Sequence, residues 1–216
     1  MGSKENFTLS ELEMDTLQEL MNISFGKAAA DLAEVVDIFI ELKAPRIECI
    51  HADEVLTSMK TLIPDFEECS IVEQHYYGEI KGVAVLVFPA GADRELLSFF
   101  QEYNGRTGGD ITMIELEREV IMELGNILIG ACLGNLFTTL KSQTTYLPPW
   151  TNSGKVFEDI FLSETVNKDD IAITMRTIFK FEDRDISGHL YIINSNSSMK
   201  KIQIALADYW KQFNAI

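Results

Sequence analysis

The chain has 216 residues, of which 46% are hydrophobic and 24% are charged, and its formal net charge is −16 at pH 7. This length and composition predict a globular protein with a sizeable core and exclude a disordered chain. The acidic balance argues against nucleic acid or an anionic membrane as a partner, because both attract basic surfaces.

The composition also limits the compartment and the cofactors. No apolar run is long enough to suggest a membrane span, and the N-terminus has no signal-peptide core, so we expect no membrane association. The three cysteines are scattered and odd in number, which favours the reducing cytoplasm over a disulfide framework. The histidines also lack metal-ligand spacing, so the sequence predicts no metal site.

The elements of the first half are predicted from their periodicity, followed by a Gly-rich boundary at 104–109. They are a long helix over 8–37, strands at 46–50, 71–79 and 82–88, and a shorter helix over 92–103. Acidic segments near 52–70 and 150–170 are interpreted as solvated loops.

The second half repeats this order. Its predicted elements are a long helix over 112–141, a turn at Pro148-Pro149, strands near 156–162, 170–182 and 186–194, and a closing helix over 197–213. Apolar strands begin at equivalent glycines, Gly82 and Gly188. Each half has too few apolar faces to be stable alone, so the halves are expected to share one core.

A polar stripe occurs once on each long helix. Its residues are spaced 4, 3 and 4, which places them on one helical face. The first stripe is Asp15, Glu19, Asn22 and Gly26, and the second, 104 residues later, is Glu119, Glu123, Asn126 and Gly130. Both helices are also preceded by capping-box pairs, Thr8 with Glu11 and Thr112 with Glu115. Between 8–45 and 112–149, eleven positions are identical.

The stripe has two interpretations. A single Glu-x-x-Asn is most simply an ordinary solvated helix face. Duplication favours a functional surface, because Asn inside a helix competes for backbone hydrogen bonds and Gly costs conformational entropy. Neither residue is needed for burial, so a fold alone gives no reason to repeat both. A Gly on the same face leaves room for another protein to approach closely.

The two stripes resemble the signature of the CheC/CheX/FliY phosphatases of bacterial and archaeal chemotaxis. In that pattern Asp or Ser is followed by Glu, then Asn, and further on by Pro. The matching residues are Asp15, Glu19, Asn22 and Pro45 in the first stripe, and Glu123, Asn126 and Pro149 in the second. Two motifs in one chain resemble CheC in particular, although Glu119 stands where the family has Asp or Ser.

The resemblance and the repeat together imply a fold. We expect an α/β (α+β) CheC-like fold, in which two long helices pack on a β-sheet with pseudo-two-fold symmetry. Residues 1–216 would form a single domain by internal duplication, with repeats at 8–103 and 112–213. A shorter helix is expected to close each half.

The resemblance also implies an activity and its residues. The activity is hydrolysis of the aspartyl phosphate of a CheY-like response regulator, which terminates a chemotaxis signal. No intrinsic cofactor is implied, since the regulator carries the Mg²⁺, and the family adds the deamidase CheD as a partner. The implied catalytic residues are Glu19, Asn22, Glu123 and Asn126, and the implied partner-binding residues are Asp15, Gly26, Glu119 and Gly130.

Two alternatives stay open at this point. One is a non-enzymatic chemotaxis or flagellar-switch adaptor that binds response regulators or CheD without hydrolysis. The other is a phosphatase for a response regulator outside chemotaxis. The sequence does not distinguish the regulators from one another.

Overall fold

The computed structural model describes residues 7–36, 40–42, 46–104, 112–160, 170–181 and 184–213. The first half contains α1 (Glu11–Val36), β1 (Ile40–Leu42), β2 (Arg46–His51), α2 (Ala52–Leu62), a 3-10 turn (Phe66–Glu68), β3 (Ser70–Gly78), β4 (Gly82–Phe88) and α3 (Ala92–Asn104). The second half contains α4 (Met113–Thr139), β5 (Thr144–Tyr146), β6 (Trp150–Ser153), α5 (Gly154–Ile160), β7 (Ile171–Phe181), β8 (Arg184–Asn194) and α6 (Asn196–Phe213). Apart from the 3-10 turn, the order of described elements is the same in both halves.

The eight strands of the described residues form one antiparallel sheet that is symmetric about the β4–β8 pair. β3 lies beside β4 and β7 lies beside β8. The outermost strands are exchanged between the halves: β1 and β2 pair with β7, whereas β5 and β6 pair with β3. An isolated half would lose these pairings. The predicted mixed fold of two long helices on a sheet is confirmed, and the internal duplication stays an interpretation of the sequence.

The larger core lies between one face of the sheet and four helices. The long helices α1 and α4 pack against each other, α3 packs on α4, and α6 packs on α1. Apolar residues at alternate strand positions face these helices, because side chains of a strand point to opposite faces in turn. On the central strands they are Val72, Tyr76, Ala84, Leu86, Phe88, Ile186, Leu190 and Ile192.

A second core on the opposite face corrects the prediction of solvated loops. Residues 52–62 form α2, whose Ala52, Val55 and Met59 are buried with helical spacing. They pack with Phe66 of the 3-10 turn and Phe157 of α5 under the other face of β4. The acidic residues that suggested a loop stand in the first turn of α2, where they complement the helix dipole.

The prediction of a strand near 156–162 was wrong for the described part of this range, which belongs to α5 as far as Ile160. Short apolar runs fit a strand or a helix equally well, and here burial decides. Phe157 is buried in the second core and the two residues before it, Lys155 and Val156, are both exposed, which is the spacing of a helix and not the alternation of a strand. The strand of this region comes earlier, as β6, paired with β3. Two predicted segments lie partly outside the described residues: the loop at 150–170 and the Gly-rich boundary at 104–109. Pro45 lies wholly outside them.

One of the two predicted helix caps was also wrong. Thr112 and Glu115 form the capping box of α4, as predicted. In α1 the reciprocal pair is Ser10 with Glu13, because the Ser10 N–H donates to Glu13 Oε2 at 2.8 Å and Ser10 Oγ accepts from the Glu13 N–H at 3.3 Å. Two overlapping capping boxes exist in the sequence at this point, and a contact of Glu13 with α6 favours the later one.

The prediction that no apolar run is long enough for a membrane span needs a correction at α4. This helix is long and apolar enough to cross a membrane by length and composition alone. Its most apolar 18-residue window has a mean hydropathy of 1.7, and half of that window is buried. The buried side chains, which include Leu124, Leu128 and Leu136, form the interface with α1 and the sheet. We therefore interpret α4 as a core helix.

Candidate functional site

The two polar stripes lie on α1 and α4, the long helices that pack against each other. Asp15, Glu19, Glu119 and Glu123 are all exposed. Both asparagines are half-buried, at the boundary between solvent and core, whereas Gly26 is exposed and Gly130 is half-buried. Each stripe thus presents carboxylates to solvent with an amide one turn away. The catalytic and partner-binding roles of these residues stay predictions.

Asn22 is hydrogen-bonded within its own helix. Gln18, one turn earlier on α1, donates from Nε2 to Oδ1 of Asn22 at 3.1 Å. Pairs of this kind at i, i+4 stabilise a helix by only about 0.2–0.5 kcal/mol. The first amide is therefore held weakly, by a side chain that is itself half-buried.

Asn126 is hydrogen-bonded to the sheet. Gln74, a buried residue of β3, donates from Nε2 to Oδ1 of Asn126 at 3.1 Å and to the backbone carbonyl of Leu147 at 3.0 Å. Both hydrogens of the Gln74 amide are thereby used. A backbone carbonyl only accepts, so the main chain at Leu147 fixes which end of the Gln74 amide faces Asn126.

A glycine next to Asn126 explains why the sheet contacts this amide. A Cβ on Gly125 would lie 2.6 Å from Cγ1 of Val72, so α4 approaches β3 more closely than any other residue type would permit. Gln74 is two residues from Val72 on the same face of β3. In α1 the equivalent residue is Met21, whose side chain is fully buried in the core between helix and sheet.

Glu13 and Glu117 are another pair of identical residues in the repeat, and their role is structural. Glu13 accepts a hydrogen bond from Gln203 of α6 at 3.0 Å, and Glu117 forms an ion pair with Arg94 of α3 at 3.4 Å. Both glutamates thus join a long helix to a closing helix. Partial burial alone would raise the pKa of Glu13, but hydrogen bonds from Gln203 and Ser10 lower it below its ordinary value. Repetition in the sequence therefore marks packing positions as well as the stripe.

The described residues contain no group of three or more His, Cys, Asp or Glu side chains placed to hold a metal ion. Burial lowers the pKa of His75, and burial together with the nearby Arg176 lowers that of His189 to about 4. Both rings are therefore neutral near pH 7. His51 ends β2 and directly precedes α2. The expectation of no intrinsic metal stays a prediction.

The sequence analysis missed three residues of the site: Gln18, Gln74 and Gly125. A repeat comparison could not find the glutamines, because each stands where the other half has a different residue. Gly125 carried a signal, since it directly precedes Asn126 and adds a second helix-weakening residue to α4. Its meaning depended on how closely α4 approaches β3.

Comparisons with known proteins agree with the motif. The family model described as CheC-like matches residues 12–48, which include the whole first stripe. The CheY-P phosphatase CheC of Bacillus subtilis is 22% identical over 205 residues, which cover 92% of this chain and 95% of that protein.

Solved structures show the same fold at low identity. FliY from Thermotoga maritima has a TM-score of 0.71 at 18% identity, with 94% of this chain and 100% of that chain covered. FliM in its complex with SpeE, from H. pylori, has a TM-score of 0.65 at 10% identity, with 94% and 98% covered. The motif, the relative and the fold all agree with the resemblance of this chain to the CheC/CheX/FliY family.

Proposed function

We propose that this protein hydrolyses the aspartyl phosphate of a CheY-like response regulator and so terminates a chemotaxis signal in the cytoplasm. The observation that carries the proposal is the pair of half-buried amides, Asn22 and Asn126, each one turn from an exposed glutamate. The similarity to a CheY-P phosphatase over most of both chains supports it.

The chemistry requires little from the phosphatase itself. The regulator supplies the Mg²⁺ and the electrophilic phosphorus, so we propose no intrinsic cofactor and a role limited to placing the water. An Asn amide both accepts and donates hydrogen bonds, and it can hold a water in line with the phosphorus without exchanging a proton. Asn22 and Asn126 are therefore the proposed catalytic residues.

The glutamates have a different proposed role. Glu19 and Glu123 are exposed and lie one turn from the amides, where a carboxylate can pair with a lysine of the regulator. Such a pair fixes the register of docking and raises the rate of encounter. The net charge of −16 strengthens the attraction to a basic patch around that lysine.

Phosphate release from a panel of phosphorylated response regulators, including CheY, tests the proposal. The Asn22→Ala, Asn126→Ala double variant should lose the accelerated release while keeping its fold, because Ala is the better helix former. Glu19→Ala and Glu123→Ala should instead raise KM and make binding less sensitive to salt. The fold of each variant is checked by circular dichroism and by its unfolding midpoint.

The same experiment separates the alternatives. Full activity of the folded double-Asn variant would contradict the mechanism. Binding of regulators or of CheD without any phosphate release would favour a non-enzymatic adaptor. Phosphate release that occurs only from regulators other than CheY would place the function outside chemotaxis.

A further inference from the structure

Each asparagine of the proposed site accepts a hydrogen bond from a glutamine, yet the two glutamines come from different elements. Gln18 of α1 donates to Asn22 Oδ1, and Gln74 of β3 donates to Asn126 Oδ1, both at 3.1 Å. The contact is the same in both sites although the donors are not equivalent in the repeat.

The two donor positions show a reciprocal exchange of Gln and Met. The residue of α4 that corresponds to Gln18, 104 residues later in the sequence, is Met122. For the strand position, Gln74 is paired with Ala84 and Met175 is paired with Leu190. Ala84 and Leu190 each lie two residues after the equivalent glycines that precede the apolar runs, so Met175 corresponds to Gln74. Each half therefore has one Gln and one Met at these two positions, in opposite places.

The buried glutamine is not explained by packing. Gln74 is 3% exposed, and its Oε1 is buried without a hydrogen-bond partner among the described residues. An unpaired buried carbonyl oxygen lowers stability, and the methionine used in the other half would avoid that cost. Retention of the polar side chain therefore points to its contact with Asn126.

That contact sets the direction of the catalytic amide. Leu147 O accepts from one hydrogen of Gln74 Nε2, so the other hydrogen faces Asn126, and Asn126 must present Oδ1 to it. The Nδ2 group and the second lone pair of Oδ1 then remain for the attacking water. A freely rotating amide would present either end, and half of its orientations would place the wrong group at the water.

We propose that Gln18 and Gln74 are positioning residues that hold Asn22 and Asn126 in this one orientation, an inference that rests on the proposed phosphatase function. The first site places its donor on the catalytic helix and the second places it on the neighbouring strand. The glutamines do not contact the phosphoryl group, so they act on turnover through the asparagine.

The test isolates the second site in an Asn22→Ala background. There Gln74→Met should lower kcat about fivefold, the size expected for one lost hydrogen bond, with KM for the phosphorylated regulator unchanged. Adding Met122→Gln, at an exposed position, recreates the arrangement of the first site and should restore kcat. Gln74→Met removes the unpaired oxygen but also two hydrogen bonds, to Asn126 and to the Leu147 carbonyl, so circular dichroism and the unfolding midpoint check its fold. Gln18→Met in an Asn126→Ala background is the mirror variant.

A second measurement does not depend on activity. In ¹⁵N-labelled protein, the side-chain order parameter of Asn126 Nδ2 should fall in Gln74→Met and recover when Met122→Gln is added. The Asn126→Ala variant identifies the resonance. An unchanged order parameter in Gln74→Met would overturn the inference even if the wild-type protein released no phosphate from any regulator, a result that would contradict the proposed function separately.

The kinetic outcomes also separate the two claims. If Asn126→Ala removes the activity of the second site but Gln74→Met keeps full kcat, the positioning role is wrong and the proposed function stands. A loss in Gln74→Met that Met122→Gln does not repair, accompanied by a raised KM, would show a merely structural residue. Recovery of kcat by Met122→Gln supports the positioning role, since that change restores only the donor.

Discussion

Asn22 and Asn126 occupy the same place on two helices of one fold, yet they are supported from different directions. In the first site the donor to the amide is Gln18, one turn away on the same helix. In the second site it is Gln74, which is anchored to the main chain of Leu147. The comparison shows that repetition of a motif on the surface of a helix does not imply repetition of the layer beneath it.

The difference originates in one position of each helix. Met21 is buried in α1, whereas Gly125 brings α4 within van der Waals contact of Val72 on β3. A close helix lets a strand residue contact the amide, and a more distant one requires a donor on the helix itself. Site geometry is thus coupled to helix–sheet distance.

The largest expected effect comes from adding a side-chain atom at Gly125, where α4 lies close to β3. Gly125→Ala should lower the free energy of unfolding by about 1–3 kcal/mol, because the new Cβ would lie 2.6 Å from Val72 Cγ1 and force α4 or β3 to shift. It should also lower turnover at the second site in an Asn22→Ala background. Urea unfolding and phosphate release measure the two effects.

Gly134→Ala is the matched control on the same helix. A Cβ at Gly134 would meet no heavy atom within 4 Å, so this change should raise stability by about 0.5–1 kcal/mol through helix propensity. Equal effects of the two Gly→Ala changes would contradict the close approach of α4 to β3.

The next effect compares the two sites by single substitutions. We expect Asn126→Ala to remove the larger share of phosphate release and Asn22→Ala the smaller, with a difference of about fivefold between the sites. The reason is that the sheet fixes Asn126 through a buried donor, while Asn22 depends on a half-buried pair. Turnover of each single variant under saturating regulator measures the ratio. Equal losses would show that the support beneath the amide does not affect catalysis.

The smallest effect concerns the glycines of the stripes. A Cβ at Gly26 or Gly130 would meet no heavy atom within 4 Å, so neither glycine is required by the fold. Gly26→Ala and Gly130→Ala should each raise the free energy of unfolding by about 0.5–1 kcal/mol. If the glycines admit the regulator, KM should rise in the same variants. More stable variants with an unchanged KM would remove both glycines from the partner-binding surface.

Much of the fold could be predicted from periodicity and caps. The long helices, β4 and the closing helix α6 were located within a few residues, because long amphipathic or continuous apolar segments leave few alternatives. The errors concern short segments. α2 was hidden by its acidic first turn, α5 was mistaken for a strand, and the cap of α1 lies two residues later than Thr8.

The sequence by itself determined the stripes, since a spacing of 4, 3 and 4 fixes Glu19, Asn22 and their equivalents on one face of any α-helix. It could not determine what lies beneath them. Gln74 and Asn126 are 52 residues apart, and their contact depends on strand register and on the approach of α4 at Gly125. The exchange of edge strands between the halves is likewise a property of the assembled sheet. Local periodicity is encoded along the chain, whereas the distance between a helix and a strand depends on the packing of all the elements together.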